Sequence, residues 1–209
     1  MYIEYCNYNK TISDYGDELS NVFRAIEQGV DCLSIPIHMY QEIREFTPQG
    51  IDISVPIDFP CGYSSAKTKN HAVLNAVKSG IKSIDYVMNN YLFQEKPKEL
   101  EKEIKVCQSI CRDYNTTLRV FIDPKTTENV IGTAKYLYQI GIEFCFPCIG
   151  YHNENFVDTL INCKLIEKDI QMNTIFNGYF WREDQLEILK RSNIFGVRLY
   201  NIDFWCNYS

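Results

Sequence analysis

Residues 66–89 read AKTKNHAVLNAVKSGIKSIDYVMN, and this stretch decides the fold. Ala72, Val73, Ala76 and Val77 recur at the spacing of one helical face, which predicts an amphipathic helix over Ala66–Lys78. Gly80 follows at the left-handed C-cap position, where glycine carries no Cβ penalty. Ser83–Asn89 then reads as a strand rich in apolar and β-branched residues. The same helix–glycine–strand unit recurs on both sides. Asp17–Gln28, with Leu19, Val22, Phe23 and Ile26 on one face, passes through Gly29 into Val30–Ile37. Thr126–Gln139 passes through Gly141 into Ile142–Pro147.

Met1–Cys6, Ile51–Asp58, Leu118–Asp123, Gln171–Phe176 and Phe195–Tyr200 bring the strand-like runs to eight. Pro97 opens another helix, whose period is kept by Leu100, Ile104, Cys107, Ile110 and Cys111. Asn155–Glu167 and Glu183–Arg191 complete the helical set, and Asp203–Ser209 is too short for a further full helix. Strands that alternate with helices are joined as parallel neighbours by right-handed crossovers. Eight of them in one domain predict a single α/β domain over residues 1–209, a closed (β/α)8 TIM barrel. An open doubly wound sheet is the alternative, because the count of eight depends on a weak first strand.

The chain has 209 residues, 45% of them hydrophobic, enough for one substantial core. Its net charge of −6, with 21 basic residues interspersed among 27 acidic ones, gives no basic footprint for nucleic acid or an anionic membrane. No run of about 18 apolar residues is present to span a bilayer. The start, MYIEYCNYNK, lacks the basic and apolar pattern of a secretory signal. Nine cysteines are an odd number, and Cys32, Cys107, Cys111 and Cys163 fall inside apolar-periodic segments. A reduced cytoplasmic setting follows. No cofactor is expected.

Asp58-Phe59-Pro60-Cys61-Gly62, then Ser64, Ser65, Lys69, Ala76 and Gly80, then Ser83-Ile84-Asp85-Tyr86-Val87-Met88-Asn89 form an ordered set. It resembles the deoxyribose-phosphate aldolase family, whose pattern runs G-F-P-x-G, T-T, a helix lysine, and G-A-x-E-I-D-M-V-I-N. The match is ungapped from Asp58 to Asn89. Fainter similarity covers Ile3-Glu4-Tyr5-Cys6, Arg119–Asp123, Gly141-Ile142-Glu143-Phe144 and Asn177-Gly178. The resemblance implies an aldolase-like barrel with its site at the C-terminal ends of the strands.

It also implies a Schiff-base lysine, activated by a second cation. Counted from Gly141, the nucleophile's position is Phe146; counted from Asn177-Gly178, the helper's position is Thr174. Neither side chain supplies an amine. The family's phosphate-binding R-I-G-T-S is Arg198-Leu199-Tyr200-Asn201-Ile202 here, with a tyrosine where close backbone approach wants glycine. Gly178 and Arg198 remain from that cradle. Thr174, Asn177, Gly178, Arg119 and Arg198 are thus the candidate ligand-binding residues.

Strand alternation puts Asp85, Val87 and Asn89 on one face and Arg119, Phe121 and Asp123 on another. The resemblance turns the Asp85 face inward. Asp58, Asp85 and Asp123 would then converge on one pocket with Arg119 and Glu4. Such carboxylates suit general acid–base work or a hard divalent cation, although no histidine joins them at metal-ligand spacing. The structural alternative is an Asp85–Arg119 pair that only neutralises buried charge. Cys145 and Cys148 form a C-x-x-C in a strand, the wrong setting for thioredoxin-like chemistry; Cys148 is a candidate nucleophile or a core residue. His38 and His152 follow strands, His71 lies on a helix, and Lys10 and Lys125 are the replacements available for a relocated Schiff-base lysine. Aromatics gather at the inferred mouth: Phe146, Tyr151, Phe176, Tyr179, Trp181 and Tyr200. They suit a flat or apolar ligand, or a homodimer interface.

Three functions compete. The first is a binding or scaffold protein without lysine chemistry, with a small carbonyl or sugar-like ligand. The second is a repurposed lyase or isomerase acting on a small carbonyl compound through Asp85, Asp58 or Asp123. The third is an aldolase with a moved lysine. An open pocket with unpaired carboxylates favours an enzyme; Phe146 and Tyr200 closing the barrel oppose it.

Overall fold

The computed structural model describes residues 1–7, 15–150, 155–178 and 182–206, with only the backbone of Tyr15, Phe204 and Cys206. Its elements run β1 (Tyr2–Cys6), α1 (Tyr15–Glu27), β2 (Cys32–Ser34), a 3-10 turn (Ile37–Met39), α2 (Tyr40–Ile43) and β3 (Asp52–Ile57). Then follow α3 (Ala66–Lys78), β4 (Ser83–Val87), α4 (Asn90–Glu95), α5 (Pro97–Asp113), β5 (Thr117–Phe121) and α6 (Val130–Gln139). The last third is β6 (Phe144–Phe146), α7 (Phe156–Asp169), β7 (Asn173–Phe176), α8 (Glu183–Ser192), β8 (Gly196–Leu199) and α9 (Asp203–Cys206).

The eight strands pair in parallel in sequence order and close, β8 back onto β1. The barrel is therefore the closed form, and the open sheet is set aside. All eight expected strands are present, trimmed at their ends except that β5 begins one residue earlier, at Thr117, and α3 has the predicted bounds. Gly29, Gly80 and Gly141 have positive φ (67°, 100° and 92°), as helix-ending glycines require. The helix starts are written locally. Ser65 Oγ accepts from the Thr68 N–H at 3.2 Å, and Asn129 Oδ1 from that of Gly132 at 2.8 Å; Pro97 opens α5 at a first-turn position.

Two features depart from expectation. No full helix follows β2, where the 3-10 turn and one turn of α2 bring buried Met39, Tyr40 and Ile43 over the strands. The short α4, capped by the Asn89 side chain on the Leu92 N–H (3.1 Å), precedes α5. Among the described residues, no helix is long and apolar enough to cross a membrane.

The segment after β3 is held against β4 from outside the barrel. Lys69 on α3 is buried and donates to the Val87 carbonyl (3.1 Å) and to Glu103 Oε1 on α5 (3.1 Å), with Asp58 Oδ2 3.6 Å away. The Tyr86 hydroxyl donates to the same Glu103 carboxylate, and the Lys69 ammonium lies 4.7 Å over the Tyr86 ring. Burial, then Cys107 and Glu103, push the Tyr86 phenol up, so it stays a donor. Gly62 completes the attachment with φ 72°; a Cβ there would stand 2.9 Å from the Val87 oxygen and the Met88 carbonyl carbon. Gly62→Ala is expected to lose about 2 kcal/mol or more, from the left-handed backbone and the clash together. Urea denaturation checks this, and an unchanged midpoint would contradict the tight approach.

Candidate functional site

Strand alternation directs one residue in two toward the barrel axis, and these side chains stack in layers. The middle layer is ionic. Glu4 (β1), Asp85 (β4), Arg119 (β5) and Arg198 (β8) meet there, each at most 2% exposed. The Arg119 guanidinium donates to Asp85 Oδ1 through Nε (2.8 Å) and Nη2 (2.5 Å), and to Glu4 Oε2 and Oε1 at 3.1 Å each. Arg198 Nη2 bridges Glu4 Oε1 (2.5 Å) and Asp85 Oδ2 (2.6 Å). Ser34 and Ser54 hydroxyls donate to Asp85 Oδ2 at 2.7 and 3.0 Å. Two carboxylates face two guanidinium groups, so the layer is neutral as a whole.

Burial pushes the Asp85 carboxyl up, but Arg119 and Arg198 outweigh it and hold the group below the usual carboxylate range. Burial disfavours the Arg119 charge, but Asp85 and Glu4 outweigh it and hold the guanidinium well above its ordinary range. Both groups keep their charge and every strong contact is internal. Asp85 has no proton to give and no vacant geometry from which to take one.

Rings close the layer from both sides. Below, Tyr2 and Phe195 stack at 5.4 Å and Phe144 meets Phe195 edge-on at 5.5 Å. Above, Phe121 and Phe146 stack at 4.4 Å within a buried cluster that includes Val87, Ile149 and Ile175. The Arg198 guanidinium lies 4.1 Å from the Phe146 ring centre, and that of Arg119 lies 5.2 Å away. At the rim, Asn177 donates to the carbonyls of Cys148 (3.2 Å) and Ile149 (2.8 Å) and accepts from the Tyr200 hydroxyl. This ties the C-terminal ends of β6, β7 and β8 together over the Phe146 layer.

Several expected site residues stand elsewhere. The convergence of Asp58, Asp85 and Asp123 is corrected: only Asp85 reaches the axis. Asp58, at φ 61°, accepts from the Ser64 N–H and hydroxyl at 2.7 Å each and faces Lys69 outside the barrel. Asp123 folds onto its own loop, accepting from the Lys125 N–H (2.9 Å) and the Thr126 hydroxyl (3.0 Å). Both lie past the last residue of their strands, where alternation no longer fixes direction. Thr174 is corrected too. Its hydroxyl donates to Glu167 on α7 at 2.6 Å, so it faces outward, and Ile175 is the inward side chain of β7. Arg198 is corrected from the phosphate end to the ionic layer. Gly178 is buried beside the Phe176 ring, next to Asn177.

Cys148 is buried beneath the rim, and its carbonyl accepts from Asn177. Cys145 points the other way, and burial, with Cys163 and Glu167 nearby, holds its thiol well above the ordinary range. His38, His71 and Lys125 are exposed; Lys10, His152, Tyr151, Tyr179 and Trp181 lie outside the described residues. A cleft of about 470 Å³ opens between α4 and the start of α6, lined by Phe93, Thr127 and Asn129 among others, and contains none of these candidates. Sequence reasoning missed Ser34, Ser54, Tyr86 and Glu103 as members of charged networks. Ser34 and Ser54 are signalled only by register, which appears once strands are paired, and Tyr86 and Glu103 only by the packing of α5 on β4.

No family model matches the chain. In sequence it is similar to the deoxyribose-phosphate aldolase of Clostridium botulinum, 27% identical over 169 residues, covering 78% of this chain and 74% of that one. The Streptococcus agalactiae deoxyribose-phosphate aldolase is 24% identical over 143 residues, covering 66% of this chain and 63%, just under two thirds, of that protein. In fold, the chain superposes on the tetrameric deoxyribose phosphate aldolase of Aeropyrum pernix with a TM-score of 0.77 at 14% identity, covering 94% of this chain and 84% of that one.

Removing one charge from the layer strands the others. Asp85→Asn is expected to destabilise the fold by about 3–5 kcal/mol at neutral pH, because Arg119 and Arg198 then face Glu4 alone. A carboxyl held low in the folded state stabilises fully above its unfolded value of about 3.9, and that contribution fades as pH falls through the lower folded value. The deficit of Asp85→Asn should therefore be full at pH 7 and shrink below about pH 4, as urea denaturation at both pH values would reveal. A deficit independent of pH would contradict a charged Asp85.

The chain thus has distant homologues among the deoxyribose-phosphate aldolases and folds into the same kind of barrel.

Proposed function

We propose that this barrel does not carry out Schiff-base aldol chemistry and acts instead as a binding or scaffold protein. The observation that carries this proposal is the Arg198 guanidinium packed 4.1 Å over Phe146, at the end of β6. The resemblance to the aldolases puts their imine-forming amine there. An aromatic ring covered by a buried arginine offers no nucleophile and leaves no room for a substrate carbonyl.

Two further features support it. Lys69, the buried amine among the described residues, lies outside the barrel and donates to Val87 and Glu103. Its direction is away from any site at the barrel mouth. Asp85, the carboxylate best placed for proton transfer, is saturated by two arginines and two serines, which weighs against a lyase or isomerase using it. At the rim Asn177 and Tyr200 are buried and bonded to each other, and Arg198, the cation the resemblance puts at the phosphate end, is held in the layer beneath. That weighs against a sugar phosphate and leaves a small neutral carbonyl or sugar-like molecule as the ligand class.

Trapping tests the first claim. Incubation with acetaldehyde, reduction with borohydride and peptide mapping should give no stoichiometric adduct on any one lysine. A single lysine carrying a full equivalent of the ethyl group, at Lys10, Lys125 or elsewhere, would overturn it.

A further inference from the structure

Outside the barrel, α3, α5 and the end of β3 bring an amine and two carboxyl groups together away from water. The Lys69 side chain is fully buried, and its Nζ lies 3.6 Å from Asp58 Oδ2 and 3.1 Å from Glu103 Oε1. Glu103 is buried with it, and Asp58 keeps only a narrow edge to solvent, its side chain 17% exposed. The Tyr86 ring lies 4.7 Å from the ammonium, and its hydroxyl donates to the same Glu103 carboxylate. Asp58 is held at φ 61°, a left-handed conformation unfavourable to a residue with a Cβ. Its carboxyl is fixed there by Ser64, whose N–H donates to Oδ2 and whose hydroxyl donates to Oδ1, each at 2.7 Å. Two such donors polarise a carboxyl as an oxyanion hole polarises a carbonyl. A buried lysine amine is a nucleophile once it is relieved of a proton, and Glu103 stands where it can take one.

We propose that the folded chain joins Lys69 to Asp58 by an amide bond between their side chains, with Glu103 carrying the protons. The Lys69 ammonium gives one proton to Glu103, and the freed amine attacks Cγ of Asp58. A C–N bond forms, and Oδ1 holds the developing charge against the Ser64 hydroxyl. Glu103 returns its proton to Oδ2, the oxygen nearer the amine, and relays a second proton from the nitrogen to the same oxygen. The Cγ–Oδ2 bond then breaks and one water leaves by the open edge of Asp58. Nothing is oxidised or reduced, and no co-reactant is needed. Two features favour condensation over its reverse. The fold holds amine and carboxyl at the high effective concentration of an intramolecular reaction. The product also carries one buried cation and one carboxylate charge fewer, while the Tyr86 hydroxyl continues to donate to Glu103. The bond turns an ionic fastening of the segment after β3 into a covalent one. It is chemistry within the chain, on a side of the strand away from the mouth, and it stands whether or not the barrel binds a ligand.

Intact-mass spectrometry of the denatured protein tests it, with circular dichroism confirming beforehand that each variant is folded. The wild-type chain should be lighter than its sequence by one water, either as purified or increasingly as the folded protein is incubated. Tryptic mapping should then find a branched peptide that joins Asp58 to Lys69, uncut after Lys69 because trypsin does not cleave at an acylated lysine. Lys69→Arg, which keeps the cation, and Asp58→Ala should both retain the full mass of their sequences. Glu103→Gln should form the bond at least about a hundredfold more slowly. A folded wild-type chain that keeps its full sequence mass after prolonged incubation overturns the proposal, and Lys69 is then an ion-pair partner only. So does a lost water that maps to another residue or persists in Lys69→Arg. Bond formation in Glu103→Gln at the wild-type rate overturns the proton transfer assigned to Glu103.

Discussion

The buried layer of Glu4, Asp85, Arg119 and Arg198 constrains everything around the barrel axis. Transferring any one of these groups from water costs several kcal/mol, and only the other three offset that cost. Each arginine contacts both carboxylates, so the four groups act as one unit. The unit spans β1, β4, β5 and β8, and Ser34 and Ser54 extend it to β2 and β3. A one-residue slip of β4 or β8 would turn Asp85 or Arg198 outward and leave its partners uncompensated in the interior. An apolar layer tolerates such a slip far more readily. The ionic layer thus contributes to a unique register more than to net stability.

The same constraint separates what was legible in the sequence from what was not. Strands and helices were legible because their periods, 2 and 3.6, are written along the chain and glycines mark where one gives way to the other. The Asp85–Arg119 pair was legible because adjacent strands place those residues opposite each other. Arg198 was legible as a functional candidate but not in its place. Its depth along the axis depends on the barrel's stagger, which no single strand records. Thr174 failed through alternation itself: a register counted from Asn177-Gly178 falls one residue out, and one residue reverses the face. Asp58 and Asp123 failed for a different reason, since both lie just past a strand, where local turns direct the side chain. Lys69, Tyr86 and Glu103 lie on three elements and become a network only in three dimensions.

Barrels of this architecture carry their chemistry at the C-terminal ends of the strands, on side chains that reach upward from the lumen. In this chain the same end is filled in layers. The ionic groups face one another, the rings of Phe121 and Phe146 lie directly above them, and the Tyr200–Asn177 contact crosses above the rings. Phe146 is central because it contacts what lies on either side. An amine in its place would put a third cation within a few ångströms of Arg198 and Arg119, against only two carboxylates. The layer would no longer be neutral, and the added charge would have to discharge or expel a partner. Arg198 and Phe146 form a matched pair, the ring accepting the flat face of a guanidinium whose edge is bound to Glu4 and Asp85.

The buried lysine outside the barrel makes the contrast sharper. A lysine in an apolar setting is ordinarily the first residue to consider as a nucleophile. Lys69 meets the burial criterion and fails the geometric one. Its three contacts, with Val87, Glu103 and Asp58, fasten the segment after β3 to β4 and α5, where Gly62 brings two backbones together. Its ammonium is oriented by acceptors on the far side of the strand from the axis. Burial alone therefore does not distinguish a reactive amine from a structural one; the direction of its acceptors does. By that criterion the two buried ionic networks among the described residues hold the lumen and the wall respectively.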